Sequence, residues 1–276
     1  MKSGARALQR RLRSVRSIAQ LTRAMKTVAV SKYNRALVQW RNIRPYQEAL
    51  KGMAAMVGTS GQSGGGGTHV LYVLITANRG MCGVYNSDLW SFFRSTSAEQ
   101  DAPWRVLLLG NWGVQRAREQ LSKDTVLGVL PMNDLPRAED AWALADRLED
   151  EWASGQYGSI VLVAQAYENV LRQVPTATTI FPRQGMDASP SKDLLILPER
   201  EALSAEIRNR DLRTTLYEQM LASMTGAHGA MLMAMRSAND NAETMGDDIE
   251  RRMNRLRQTA VTTQVLELSR GAQSNA

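Results

Sequence analysis

Cysteine occurs once in this chain, histidine twice and phenylalanine three times. A single cysteine cannot close an internal disulfide, which excludes a disulfide-stapled scaffold and points to a reducing compartment. The two histidines, His69 and His228, lie far from each other and His228 far from Cys82. A Cys–His catalytic pair would have to join distant parts of the fold, and neither a catalytic set nor a metal-ligating set is read from the sequence. No stretch approaches the ~20 apolar residues that span a bilayer. The N-terminal "MKSGARALQRRLRSVRS" lacks the apolar core of a signal peptide, so any membrane association is expected to run through other proteins. Acid is nearly missing from the first 57 residues, where Glu48 stands alone against thirteen Lys or Arg. Helix breakers are scarce at both ends. Pro45 is the one proline before residue 103, no glycine falls between Gly4 and Gly52, and no proline follows Pro198.

What is present fits those absences. The first 57 residues carry a net +12 of a total +7, so the remainder carries −5. That split favours an anionic partner for the first segment, whether nucleic acid, a membrane surface or an acidic protein. Leu8, Leu12, Val15, Ile18, Leu21, Met25 and Val28 recur every three or four residues, which predicts a long amphipathic helix with a coiled-coil seam over 1–57. A second stripe runs through Met220, Met224, Ala227, Met231, Ala234, Ala238, Ala242, Met245, Ile249, Met253, Leu256, Ala260 and Thr263, which predicts one helix through most of 201–276. Met233 and Met235 fall off that seam and are expected to face outward. Each stripe needs a cover, and the two helices are expected to cover each other as a long antiparallel coiled coil.

Between them, "GTSGQSGGGG" reads as a flexible linker over 58–68; a phosphate loop would continue with Lys-Ser/Thr. From 69 to 200, short apolar runs ("HVLYVLIT", "WRVLLLG", "TVLGVL", "SIVLVAQAY") alternate with helix-like segments. That alternation predicts a Rossmann-like α/β domain with a mostly parallel sheet. The stretch "LITANRGMCGVYN", residues 74–86, follows the first run. Its glycines do not make Gly-x-Gly-x-x-Gly, and Cys82 has no partner cysteine, so it reads as a bend in which Gly80 and Gly83 permit tight turns and Cys82 is a small buried apolar group.

Four motifs in order resemble the F-type ATP synthase gamma subunit: "LTRAMKTVAVSKYNRA" (21–36), "TANRGMCGVYN" (76–86), "AMRSANDNA" (234–242) and "RLRQTAVTTQVLEL" (255–268). Asn78 stands where the family's central motif has Asp, and Ala227 and Met231 stand where its last helix carries Glu and Arg, as in a divergent, alternative F-type enzyme. The resemblance implies a central-stalk rotor without catalytic residue or cofactor, one copy within a ring of alpha and beta subunits. Its α/β part would join epsilon and the membrane c-ring. It would be peripheral, at the cytoplasmic face of the bacterial inner membrane, with no nucleic acid bound. Arg23, Met25 and Lys26 near the start, and Arg257, Gln258 and Thr262 near the end, match positions that contact the alpha/beta ring. Arg79, Gly80, Cys82, Gly83 and Asn86 match a structural motif, in which Arg79 is either a surface or capping arginine or a polar clasp onto the helices. A free-standing α/β enzyme and a coiled-coil nucleic-acid-binding protein are the rival readings.

Overall fold

The computed structural model describes residues 2–58, 61, 66–183, 185 and 199–273. Most of the glycine-rich segment lies outside the described residues. Helix α1 spans Lys2–Val57 and helix α5 spans Arg200–Gln273. Between them come β1 (His69–Ile75), α2 (Tyr85–Ala98), β2 (Trp104–Leu109), α3 (Asn111–Gln120), β3 (Val126–Leu130), α4 (Ala138–Ala153), β4 (Tyr157–Asn169) and β5 (Arg172–Phe181). Two compact units emerge: Ala29–Met233, and Met1–Val28 with Ala234–Ala276.

In the larger unit the sheet order is β3-β2-β1-β4-β5. β1 pairs with β2 and β4, and β2 with β3, all in parallel. The mostly parallel expectation therefore holds. β5 was not among the expected strands, because Pro175 interrupts its run. It closes the sheet antiparallel to β4, with Pro175 opposite Gln165, and an edge strand tolerates the missing N–H. Strand β1 sits at the centre and is buried on both faces, which explains its unbroken apolar run. Its alternate residues separate two cores. Leu71, Val73 and Ile75 face α4 and α5 with Leu144, Leu148, Leu216 and Met224. Val70, Tyr72 and Leu74 face α2 and α3 with Leu89, Phe93 and Ala117. Each fully buried leucine or isoleucine here contributes about 1.5–3 kcal/mol.

Helix α5 is buried at every residue from Met220 to Gly229. The small residues of "TGAHGAML" make that possible. A Cβ on Gly226 would lie 3.1 Å from both Gln173 and Tyr85, and one on Gly229 3.4 Å from Tyr33 and Val170. Within this unit α1 lies alongside α5, with Val57 and Ala54 packed on Ile207 and Trp40 bonded to Glu218.

In the smaller unit the two helices pair antiparallel. Arg16 is ion-paired to Glu250, and Arg23 to Glu243 at 2.6 Å. Leu12, Val15, Ala242 and Ile249 form the apolar contact, flanked by Leu8, Ala19 and Met253. The seams keep part of the expected stripes, Leu8, Leu12 and Val15 on α1 and Ala242, Ile249 and Met253 on α5, and depart from the rest. On α1 the seam runs 8-12-15-19-22, leaving Ile18, Leu21 and Val28 more than half exposed. On α5 it runs 235-239-242-246-249-253. Met235 is buried, against expectation, while Met245 and Leu256 are nearly half exposed. The reason is close approach: Gly246 meets Val15, where a Cβ would lie 3.9 Å from its Cγ1. A stripe of large apolar residues passes over the alanine, threonine, asparagine and glycine that complete this seam.

Candidate functional site

The 76–86 stretch forms a tied turn at the C-terminal end of β1. Thr76 Oγ1 donates to the Leu109 and Gly110 carbonyls and accepts the Gly113 N–H at 3.0 Å. Asn86 Oδ1 accepts the Ala77 N–H at 3.0 Å, while its Nδ2 donates to the Arg79 carbonyl and to Cys82 Sγ. Gly83 takes a left-handed φ of 60°, as a tight turn requires. Gly80 does not, and Met81 supplies the second left-handed residue at φ 62°. Cys82 is buried, and burial pushes its thiol pKa up, which disfavours the reactive thiolate. The Arg79 side chain is exposed; its carbonyl is the part that closes the turn.

Open α/β sheets bind ligands in a crevice beyond the strand ends where the connections diverge, here between β1 and β4. In this chain α5 fills that position. Tyr85 Oη donates to the Ser223 carbonyl at 2.6 Å, Gln165 donates to the Tyr85 carbonyl at 3.0 Å, and Gly226 lies against both Tyr85 and Gln173. A Cβ at Gly226 would crowd the Gln173 and Tyr85 side chains, which would have to give way by a few tenths of an ångström. The arrangement suits a scaffold locked onto a helix better than a nucleotide cleft.

Sequence reasoning missed the polar cluster beside this turn. Asn78 Nδ2 donates to the Met132 carbonyl at 2.6 Å and to Asp134 Oδ1 at 3.2 Å. Lys32 of α1 is ion-paired to Asp134 Oδ2. His228 of α5 bonds through Nε2 to the Asp134 carbonyl at 2.9 Å. An amide at position 78 donates to two acceptors at once, which the carboxylate of the family pattern cannot do. A second missed set lies nearby: Tyr33 Oη and Tyr167 Oη are 2.6 Å apart, Trp40 stacks edge-on against Tyr167, and Trp40 Nε1 donates to Glu218 at 2.6 Å. Burial raises the Glu218 pKa against that hydrogen bond and nearby Arg44 and Lys51. The signal in the sequence was the departure pattern itself, Asn78 and the small, His-bearing "TGAHGAML".

The residues matched to ring contacts all lie in the smaller unit. Arg23 is exposed and paired with Glu243; Met25 and Lys26 are half-buried. Arg257, Gln258 and Thr262 are exposed, and Thr262 Oγ1 donates back to the Gln258 carbonyl at 3.0 Å. They form two sets on two helices and do not converge on one pocket. Among the described residues no group of three or more His, Cys, Asp or Glu could hold a metal, and no helix is long and apolar enough to cross a membrane.

A family model described as ATP synthase matches residues 4–274. The chain is 28% identical over 286 residues to the ATP synthase gamma chain of Desulforamulus reducens, covering 98% of each. It is 30% identical over 292 residues to that of Herpetosiphon aurantiacus, again covering 98% of each. Among solved structures it is similar to a chain of the Euglena gracilis mitochondrial ATP synthase OSCP/F1/c-ring assembly. That likeness has a TM-score of 0.71 at 15% identity, covering 97% of this chain and 93% of that one. A chain from the central stalk and c-ring of the Tetrahymena thermophila enzyme has a TM-score of 0.60 at 20% identity, covering 79% and 99%. These likenesses lend no support to a nucleic-acid-binding protein or a free-standing enzyme.

Proposed function

This chain belongs to the ATP synthase gamma-chain family, and on that premise we propose that it is the central-stalk rotor of an F-type ATP synthase, with no catalytic residue or cofactor of its own. It couples ion flow through a membrane c-ring to ATP synthesis or hydrolysis in a ring of alpha and beta subunits. One copy turns within three alpha and three beta subunits, and the unit bearing the sheet joins epsilon and the c-ring. The complex stands at the cytoplasmic face of the bacterial inner membrane, with this chain peripheral.

The observation that carries the reading is the inverted helix pair. Its seam is an apolar contact interleaved with small and polar residues, while Ile18, Leu21, Val28, Met245, Leu256 and Val261 point their apolar side chains into solvent. Two long helices displaying such residues call for a partner surface around them. The +12 charge of the first 57 residues supports acidic surfaces on that partner. Arg23, Met25, Lys26, Arg257, Gln258 and Thr262 are the contacts assigned to the ring. Uneven contact with the three beta subunits at each angle gives each nucleotide site a different conformation, which is how rotation and nucleotide exchange become linked. Purifying the tagged chain from its native membrane tests the assignment. Alpha, beta and epsilon subunits are expected to come with it; their absence from a preparation that retains the intact chain would sink it.

A further inference from the structure

Asp134, in the loop between β3 and α4, is held from three directions. Lys32 of α1 pairs with Oδ2, Asn78 at the end of β1 donates to Oδ1, and His228 of α5 bonds to the backbone carbonyl. All four residues lie in the larger unit. A carbonyl only accepts, so His228 Nε2 carries the hydrogen and Nδ1 is the site left for a proton. We infer that this cluster is an acid-sensitive clasp, fastening α1 and α5 to the β3–α4 loop while His228 is neutral and loosening when His228 gains a proton.

The geometry makes a charged imidazole costly here. His228 is 7% exposed, and desolvation penalises a buried cation. The charged groups facing it are Lys32 from α1 and Asp134 from the loop. The β4–β5 hairpin contributes Val170 against neighbouring Gly229, with its own Glu168 and Arg172 paired to each other. Burial lowers the His228 pKa, with Lys32 adding to the effect; the hydrogen bond and charge at Asp134 oppose it without reversing it. Burial alone would raise the Asp134 carboxyl, but Lys32 and Asn78 outweigh it and hold the group below the usual carboxylate range. Asp134 therefore stays ionised while His228 titrates.

The sign follows. The open clasp exposes a histidine of ordinary pKa, ~6.5, whereas the closed clasp binds the same proton less readily. Closure is at full strength above that value and weakens as pH falls through it toward the lower pKa of the closed state. This behaviour belongs to the chain itself and does not depend on the rotor assignment.

The chain's two histidines make the test direct. In the full-length protein, with His69→Gln to assign signals, the NMR titration of His228 is expected at a midpoint below ~6.5, the value of a free imidazole. Hydrogen exchange corrected for intrinsic rates should then rise at residues 30–36 and 226–232 as pH falls from about 7.5 to about 5.5, by at most about tenfold per pH unit, the limit for one proton. His228→Gln should remove that rise, and Lys32→Met should raise the His228 midpoint. If His228→Gln does not fold, the wild-type titration and the Lys32→Met shift decide. A His228 midpoint at or above ~6.5, the value of a free imidazole, or an unchanged exchange profile in a folded His228→Gln, overturns the clasp.

Discussion

Gly80 lies in the turn after β1 and Gly110, at the end of β2, packs on Thr76 at the start of that turn, but they differ in what a methyl group would meet. Gly110 has φ 93°, and a Cβ there would lie 2.1 Å from the Thr76 carbonyl oxygen; nothing lies within 4 Å of one on Gly80. Gly110→Ala is therefore expected to cost more than the ~1–3 kcal/mol of ordinary overpacking, whereas Gly80→Ala should stay within about 0.5 kcal/mol of wild type. Urea titration of both variants checks the contrast, and equal effects would contradict the geometry of the turn. Cys82→Ser should retain coupling in the assembled complex, since a buried thiol with a raised pKa has no chemical role to lose. Coupled ATP turnover of that variant is the check, and its loss in a complex that still assembles would restore a reactive role. The motif was legible as a bend because Gly, Asn and Cys cluster after an apolar run. Which residue turns left-handed was not, because the closure of Asn86 onto Ala77 and Arg79 decides it, and that places Met81 where Gly80 was expected.

Both long helices could be read from three- and four-residue spacing, and four of the five strands from their apolar runs. β5 escaped because Pro175 looks like a breaker until its edge position is known. Part of the seam of the helix pair escaped for a different reason. Periodicity detects large apolar residues, and here Ile18, Leu21, Met245 and Leu256 lie outside while Ala19, Thr22, Asn239 and Gly246 lie inside beside Leu12, Val15 and Ile249. The two registers make opposite predictions. In a Cys82→Ser background, the pair Val15→Cys with Gly246→Cys should cross-link within one molecule, and Ile18→Cys with Met245→Cys should not. The reverse outcome would restore the apolar stripe. The exposed ion pairs Arg16–Glu250 and Arg23–Glu243 help fix the register but, being solvent-screened, add little to stability. Removing Glu243 should leave the pairing intact, which the same cross-linking assay will show.

At the scale of the whole chain, the family likeness runs through both terminal helices as well as the sheet. The four motifs make it legible in the sequence. The Lys32–Asn78–Asp134–His228 cluster was not legible, because its members come from four separate places in the sequence and meet only once the sheet and helices are packed. The outward apolar residues separate folding from assembly. Leu21→Lys should leave the stability of the free chain within about 0.5 kcal/mol, as for other exposed sites, while lowering the yield of alpha- and beta-containing complex. Equal yields would show that this face is not covered. Rotation is the most direct measurement of the central claim. A bead attached through Lys123→Cys, in a Cys82→Ser chain assembled with surface-fixed alpha and beta subunits, should turn stepwise in one direction when ATP is supplied. A complex that assembles and hydrolyses ATP while the bead only fluctuates would contradict the account.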